Sequence, residues 1–246
     1  MSLPEIVTPE QWRAARIELL SEEKAMTRAR DALNAKRRRL PMVAIEKNYA
    51  FEGPDGPARL LDLFDGRHQL IVQHFMFDPS WEVGCSSCTA AADEISAGLL
   101  THLHARDTTL AVVSRAPLAT IEKYRAKRGW TFPWYSSFGT DFNYDFHVTI
   151  DATVAPIEFN FRTLEELEQV GMGWMADGSS EQPGYSVFLH DDGRIFHTYS
   201  MFARGTESLG GSYAFLDVTP LGRQEDWEKP EGRASSVHGP RPDFSA

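Results

Sequence analysis

The chain contains an apolar run, Leu70-Ile71-Val72-Gln73-His74-Phe75-Met76-Phe77, which is followed after seven residues by Cys85-Ser86-Ser87-Cys88. A second apolar run, Thr108-Thr109-Leu110-Ala111-Val112-Val113, comes after a segment with helical periodicity. Two apolar strands separated by a helix predict a β-α-β unit over roughly residues 69–114. The two cysteines of the 246-residue chain therefore fall at the strand-to-helix junction of this unit.

The two cysteines are predicted to differ in exposure. Apolar residues on one helical face recur with spacings of 4, 3, 4 and 4, namely Cys88, Ala92, Ile95, Leu99 and Leu103. Cys88 begins this buried face, whereas Cys85 lies one turn earlier, where unpaired backbone N–H groups and the helix dipole favour a thiolate. A C-x-x-C pair in a β-α-β setting is typical of a thioredoxin-like redox motif. We expect Cys85 to attack a substrate and Cys88 to resolve the mixed disulfide.

Two other interpretations of the cysteine pair stay open. The cysteines are inert buried residues, or they are ligands of a structural zinc ion. Structural zinc takes four ligands and the chain has no second C-x-x-C, so the missing ligands would be histidines such as His74, His190 and His197. The last two are seven residues apart, beyond the usual H-x₃₋₅-H spacing, and we expect neither a metal nor another cofactor.

Composition excludes several classes of partner. A net charge of −10 disfavours nucleic acid, because phosphate binding requires a basic face. No apolar stretch reaches the ~18 residues that cross a bilayer, so no membrane partner is expected. The first residues lack the basic and apolar regions of a signal peptide, which predicts a cytoplasmic protein. In that compartment a close cysteine pair is more often transient or catalytic than structural.

The chain is predicted to contain an N-terminal extension, a core domain and a tail. Residues 1–42 form the extension, which is mostly one helix over residues 8–39. Residues 43–222 form the domain, with an aromatic-rich insert at about 130–182, and residues 223–246 form a polar tail. The first helix packs on its own domain or on a second subunit, so a homodimer is among the expected assemblies.

Local signals mark several further elements. Thr8 is the expected N-cap of the first helix, with Pro9 at its first position. Asp191-Asp192-Gly193 predicts the turn of a hairpin. A helix is expected over residues 117–128, and Thr163 is expected to cap a short helix through a capping box with Glu166.

The motifs together resemble the uncharacterised thioredoxin-like family known as domain of unknown function 899, over roughly residues 5–225. The motifs that carry this resemblance are Phe75-Met76-Phe77-Asp78-Pro79-Ser80-Trp81, Cys85-Ser86-Ser87-Cys88, Ser114-Arg115-Ala116-Pro117-Leu118, Gly129-Trp130-Thr131-Phe132-Pro133-Trp134, Asp141-Phe142-Asn143-Tyr144-Asp145-Phe146, Pro183-Gly184-Tyr185-Ser186-Val187-Phe188, Phe196-His197-Thr198-Tyr199-Ser200, Ala203-Arg204-Gly205 and Asp217-Val218-Thr219-Pro220-Leu221-Gly222-Arg223. The resemblance implies a thioredoxin-like fold but no particular reaction. It matches Cys85 and Cys88 to the redox pair and Pro183 to the proline that faces it, although Pro183-Gly184 is also an ordinary turn sequence. Trp81 precedes the pair by four residues, whereas thioredoxins have a Trp directly before the first Cys.

Five more residues are candidates for supporting roles. Trp134 and Tyr144 would line an aromatic substrate pocket, although such aromatics more often belong to a core. His197 and Tyr199 alternate in a predicted strand and would share one face on the active-site side. Arg204 would supply a cation near a thiolate, with a surface salt bridge as the alternative.

The sequence therefore predicts an α/β protein with a thioredoxin-like three-layer α/β/α architecture. A central mixed sheet would carry an N-terminal helical extension and an aromatic-rich insert. The expected function is that of a thiol–disulfide oxidoreductase, with a peroxide-reducing variant within it, and its partners are thiol or disulfide groups of proteins or small molecules. The alternative is a non-catalytic binding module or a redox sensor.

Overall fold

The computed structural model describes residues 4–220 of the chain, and these form two units. One unit consists of residues 4–41 and 210–220, and the other of residues 42–209. The predicted polar tail, residues 223–246, lies outside the described residues.

The first unit contains the long helix α1 (Pro9–Arg37) and a short C-terminal helix (Ser212–Leu216). The predicted start of α1 is confirmed. Thr8 Oγ1 accepts the backbone N–H of Gln11, and the Gln11 side chain accepts the backbone N–H of Thr8. This reciprocal cap satisfies two donors that a helix start otherwise leaves unpaired. No residue of α1 is buried.

The second unit is built on an eight-stranded mixed sheet. Its strands in spatial order are β1 (Val43–Ala44), β12 (Arg194–Phe202), β11 (Gly184–Asp191), β4 (Gln69–His74), β5 (Thr108–Ser114), β6 (Trp134–Ser136), β2 (Ala50–Gly53) and β3 (Gly56–Arg59). Two small sheets accompany it, formed by β7 (Thr149–Ile150) with β10 (Ser180–Glu181) and by β8 (Glu158–Phe159) with β9 (Arg162–Thr163). The helices of this unit are α2 (Ser86–Asp93), α3 (Ala97–His104), α4 (Leu118–Arg128), α5 (Phe142–Asp145) and α6 (Leu164–Gln169). Short 3-10 segments occupy Asp62–Phe64, Gly173–Ala176 and Ala203–Leu209.

The order of the four central strands identifies the fold. Strands β4 and β5 are parallel and are joined through α2 and α3. The later hairpin β11–β12 is antiparallel, and β11 pairs with the free side of β4. The resulting order β12-β11-β4-β5, with a β-α-β unit followed by a hairpin, is that of a thioredoxin-like fold. The fold predicted from the sequence is therefore confirmed.

Helices cover both faces of the sheet, which gives the predicted three layers. Along β5 the side chains alternate, so that Val112 packs with α2 and α4 on one face while Ala111 and Val113 pack on the other. The second face is covered by α5 and α6, through Phe142 and Leu167. Because both faces are buried, β5 is apolar over most of its length rather than alternating with polar residues.

Other local predictions are confirmed as well. Asp192 and Gly193 both have positive φ, as the two central residues of a tight hairpin require. Helix α4 ends at Gly129, whose φ of 70° is left-handed and suits glycine. Thr163 and Glu166 form the predicted capping box at the start of α6.

The long helix predicted after the cysteine motif is wrong, because two helices occupy this segment. Helix α2 ends at Asp93, and Ser96 starts α3 by accepting the backbone N–H of Leu99. The break turns the second half of the predicted stripe away from the core, so that Leu99 is 41% exposed while Ala92 is fully buried. A good N-cap serine inside an otherwise helical pattern is the physical reason.

Candidate functional site

The cysteine pair lies where the loop after β4 enters helix α2. Cys85 is the N-cap residue of α2, and its backbone N–H donates to Met76 O at 3.1 Å. Its own carbonyl accepts both the backbone N–H and the hydroxyl of Thr89, each at 2.9 Å. The Thr89 hydroxyl also contacts the hydroxyl of Tyr124 on α4 at 2.9 Å. The backbone of Cys85 is therefore fixed from both sides.

Gly84 lets the chain reach this position. A Cβ atom at Gly84 would lie 2.8 Å from Cζ of Phe75 and still closer to Cε1 of the same ring. Phe75 is itself buried and held by its backbone N–H to Val113 O, so the ring cannot yield without disturbing the core. Only glycine allows the loop to pass this close to the ring.

The environment of Cys85 lowers the pKa of its thiol to about 5. The largest cause is the hydrogen bond with the side chain of Cys88; the Ser87 hydroxyl, 3.1 Å from Cys85 Sγ, and the backbone N–H groups of both residues add to it, while burial opposes it. The two backbone N–H groups are the unpaired donors of a helix start, as the sequence predicts, whereas the two side-chain donors are additional. All of the lowering contributions are hydrogen bonds, and no neighbouring cation is among them. At neutral pH Cys85 is a thiolate.

Cys88 differs from Cys85 in both its exposure and the direction of its pKa shift. It is 5% exposed and packs in the core between α2, α4 and β5. The hydrogen bond and negative charge of Cys85, together with burial, raise the pKa of Cys88 well above its ordinary value. The two cysteines are free and approach to 3.8 Å. The shared hydrogen bond therefore favours the thiolate on Cys85 and the proton on the buried Cys88.

The predicted aromatic pocket is not formed by Trp134. Its side chain is fully buried in the core below Cys88, and its Nε1–H donates to Ser114 Oγ at 3.0 Å. Tyr144 is half-buried and lies beside Arg115 instead, where its hydroxyl accepts a hydrogen bond from Arg115 Nη1 at 3.2 Å. The structure does not bring these two aromatic residues together.

Arg115, which directly follows β5, makes contacts beside the cysteine loop that the sequence motifs did not predict. Its guanidinium donates to Asp78 Oδ2 at 2.6 Å and to Glu181 Oε1 at 2.7 Å. Asp78 lies in the loop that leads to Cys85, and Glu181 lies two residues before Pro183, so one cation ties both segments to the end of β5. Burial raises the pKa of Glu181, against the effect of Arg115. The signal available in the sequence is a charged residue at the carboxyl end of a strand beside the cysteine strand.

The cation predicted at Arg204 lies elsewhere. Arg204 pairs with Glu207 three residues on, at 2.9 Å, and its side chain is 64% exposed. The alternative stated for this residue, a surface salt bridge, is the arrangement found.

His197 and Tyr199 do not share a face, which corrects the prediction. The register of β12 shifts at a bulge, so that Tyr199 pairs with Val187 while His197 pairs with the next residue, Phe188. Directly paired residues point to the same side of a sheet, and Val187 and Phe188 point to opposite sides. His197 therefore faces the α5 side, where it contacts the rings of Phe146 and Phe188.

A chain of buried polar groups runs across the sheet on that same side. His74 Nε2 contacts Ser186 Oγ at 2.8 Å, Ser186 Oγ contacts Ser200 Oγ at 2.8 Å, and Ser200 Oγ contacts His197 Nε2 at 2.7 Å. Burial, and to a smaller extent the proximity of His197, lower the pKa of His74 to about 3. Burial also lowers the pKa of His197. Both imidazoles are thus held neutral in hydrogen bonds rather than presented to a metal.

The remaining candidates, Pro183 and Trp81, lie in the segments that lead into β11 and α2. Pro183 is half-buried and directly precedes β11, whose first residue pairs with His74 at the end of β4. Trp81 is 38% exposed, in the loop between β4 and α2.

Within residues 4–220 no group of three or more His, Cys, Asp or Glu side chains is arranged to hold a metal ion. Over the same residues, no helix is long and apolar enough to span a bilayer.

Residues 1–238 match the family described as bacterial protein of unknown function (DUF899). The chain belongs to this family. The resemblance drawn from the sequence motifs is therefore confirmed. No curated protein matches the chain.

Solved structures with a similar arrangement include several peroxiredoxins. The bacterioferritin comigratory protein of Xanthomonas campestris, described for its alkyl peroxide reduction activity, is 12% identical with a TM-score of 0.44, over 69% of this chain and 91% of the other. A cysteine-to-serine mutant of PrxQ from Xylella fastidiosa is 14% identical with a TM-score of 0.42, over 70% and 93%. Reduced 2-Cys peroxiredoxin of Plasmodium vivax is 14% identical with a TM-score of 0.38, over 66% and 69%. At such low similarity these proteins say nothing about the reaction, and the fold assignment rests on the strand order.

Proposed function

We propose that this protein is a thiol–disulfide oxidoreductase in which Cys85 is the nucleophile and Cys88 the resolving thiol. One observation carries the proposal, namely the unequal pair at the start of α2. Cys85 is partly exposed with a pKa lowered to about 5, and Cys88 is buried with a raised pKa. The pKa of a free thiol is ~8.5, so Cys85 would be almost wholly ionised at neutral pH, where an ordinary cysteine is a few per cent ionised.

The reaction follows from this difference. The Cys85 thiolate attacks one sulfur of a substrate disulfide, a new S–S bond forms, and the other substrate sulfur leaves as a thiolate that takes a proton from water. Cys88 then loses its proton to solvent and attacks Cys85 Sγ, which closes the Cys85–Cys88 bond and releases the second substrate sulfur. The substrate gains two electrons and two protons, and an external dithiol of the same chemical class returns the protein to its dithiol form.

The supporting residues have lesser roles in this proposal. Arg115 would hold the loop that contains Trp81 and the segment that ends at Pro183, and a substrate would meet Cys85 between them. Peroxide reduction is less well supported, because a peroxidatic cysteine would require a nearby cation and all of the groups that lower the pKa of Cys85 are hydrogen-bond donors. The substrates would be thiols or disulfides of proteins or small molecules.

The test is insulin reduction with dithiothreitol as the electron donor. Wild-type protein should accelerate it, Cys85→Ser should abolish the acceleration, and Cys88→Ser should accumulate a mixed disulfide between Cys85 and the substrate. Ser86→Ala is the matched control, because it changes the same motif without removing either sulfur. A wild-type protein that exchanges no disulfide, with a Cys85 pKa near that of a free thiol, would instead identify a binding module. Reversible oxidation of the pair without turnover would identify a redox sensor.

A further inference from the structure

The structure points to a second copy of this chain as the partner of helix α1, packed antiparallel along an apolar stripe. We propose this interface independently of the chemistry at Cys85. The helix has 29 residues, none of them buried. It is about 43 Å long at ~1.5 Å per residue, and helices in folded proteins take most of their stability from packing an apolar face.

Four large apolar side chains on α1 recur every seven residues. They are Trp12, Leu19, Met26 and Leu33, and they are 62%, 51%, 69% and 47% exposed. A strict seven-residue repeat drifts by only about 20° per step on an α-helix, so the four residues form one stripe along its length. A full coiled-coil heptad has two apolar positions, whereas here the second position holds Ala15, Glu22, Ala29 and Lys36. The stripe is therefore a narrow seam, with room at the alanines for a second helix to approach.

The charges on α1 determine the direction of the partner. Residues 9–23 contain four acidic and two basic side chains, whereas residues 24–38 contain one acidic and six basic side chains. Two parallel copies would place the basic halves side by side. Two antiparallel copies place each basic half beside the acidic half of the other helix, and pair Trp12 with Leu33 and Leu19 with Met26 across the interface.

The area is sufficient for a weak but specific dimer. Each stripe residue still exposes on the order of 100 Å², and eight of them with their flanking alanines and charged stems reach the order of 1,200 Å². Stable interfaces bury roughly 1,200–2,000 Å² in total, so this one falls at the lower limit and should dissociate in the micromolar range.

The first test is the oligomeric state of the full chain by sedimentation equilibrium. Wild type should have twice the 27.7 kDa chain mass at high micromolar concentration. Leu19→Glu with Met26→Glu should weaken the dimer at least tenfold while leaving the helical circular dichroism unchanged. Ile17→Glu is the matched control, because Ile17 is 50% exposed but lies on the opposite side of the helix from the stripe. A wild type that stays monomeric, or a control that dissociates as readily as the double variant, overturns the proposal.

The second test determines the orientation, in a background in which Cys85 and Cys88 are both serine. Trp12→Cys and Leu33→Cys variants are oxidised separately and then as a mixture. An antiparallel pair should give the crosslinked dimer mainly in the mixture. Crosslinking of each variant mainly with itself would mean parallel helices, and no crosslinking at all would mean that the stripe is not the interface. Insulin reduction plays no part in either test, so failure here is distinct from failure of the proposed reaction.

Discussion

The replacement Ser87→Ala tests the origin of the low Cys85 pKa most directly. The Ser87 hydroxyl lies 3.1 Å from Cys85 Sγ and is one of the groups that stabilise the thiolate. A hydrogen bond to a charged group contributes about 1.5–3 kcal/mol, and the partial exposure of Cys85 reduces this to about 1 kcal/mol. Since ~1.36 kcal/mol corresponds to one pKa unit, the pKa of Cys85 should rise by about 0.7 unit.

The assay is the rate of alkylation by iodoacetamide as a function of pH, checked against the ultraviolet absorbance of the thiolate. Near the wild-type pKa of about 5, the variant should react about threefold more slowly, because a smaller fraction of Cys85 is ionised. The two rates should converge at pH values above both pKa values. The raised pKa of Cys88 keeps its titration out of this range.

The matched control is Ser86→Ala, the same substitution one residue earlier. Ser86 is not among the groups that lower the pKa of Cys85, so its removal should leave the profile unchanged. Cys88→Ala should raise the pKa more than Ser87→Ala does, because the Cys88 side chain is the largest cause. If Ser87→Ala matched wild type, or if both serine variants shifted equally, the hydrogen-bond explanation would be refuted.

Three further predictions concern stability, each measured by urea denaturation. Gly84→Ala should destabilise by about 1–3 kcal/mol because the added methyl overlaps a buried ring. Gly98→Ala, within α3, should stabilise by about 0.5–1 kcal/mol, because its methyl would make only an ordinary contact with Ser96 Oγ at 3.7 Å; equal effects would contradict the steric argument. The pKa of His74 is lowered to about 3, so between that value and ~6.5 the unfolded chain binds a proton that the native state does not. Stability should therefore fall as pH falls through this window, and His74→Gln should flatten the slope; an unchanged slope would exclude His74 as its source. Arg115→Met should cost about 3 kcal/mol by leaving the buried carboxylate of Glu181 and the half-buried carboxylate of Asp78 without a cation, and the exposed control Arg204→Ala less than about 0.5 kcal/mol; similar losses would mean that the Arg115 network does not stabilise the fold.

The structural features that the sequence predicts correctly are those that depend on neighbouring residues. The hairpin at Asp192-Gly193, the caps at Thr8 and Thr163 and the end of α4 at Gly129 each depend on the conformational preferences of a few adjacent residues. For Cys85 the sequence predicts the backbone donors of the helix start, but the largest cause of its low pKa is the hydrogen bond with the Cys88 side chain.

The features that the sequence does not predict depend on contacts between distant parts of the chain or on competing local preferences. The register shift opposite Val187 and Phe188 leaves Thr198 as an extra residue in β12, so His197 and Tyr199 point to opposite sides, and nothing in their alternation reveals it. The Arg115 network joins residues far apart in sequence, so no spacing predicts it. At Ser96 a good cap overrode a helical pattern that continues through it.

The hydroxyl of Thr89 has only one hydrogen, and it is donated to the carbonyl of Cys85. In the contact between Thr89 and Tyr124 the phenol must therefore be the donor, which gives this short chain of hydrogen bonds a fixed direction. Tyr124 belongs to α4, and its hydroxyl proton is linked through Thr89 to the residue that caps α2. A Tyr124→Phe replacement would remove this link between α4 and the start of α2 without removing either sulfur.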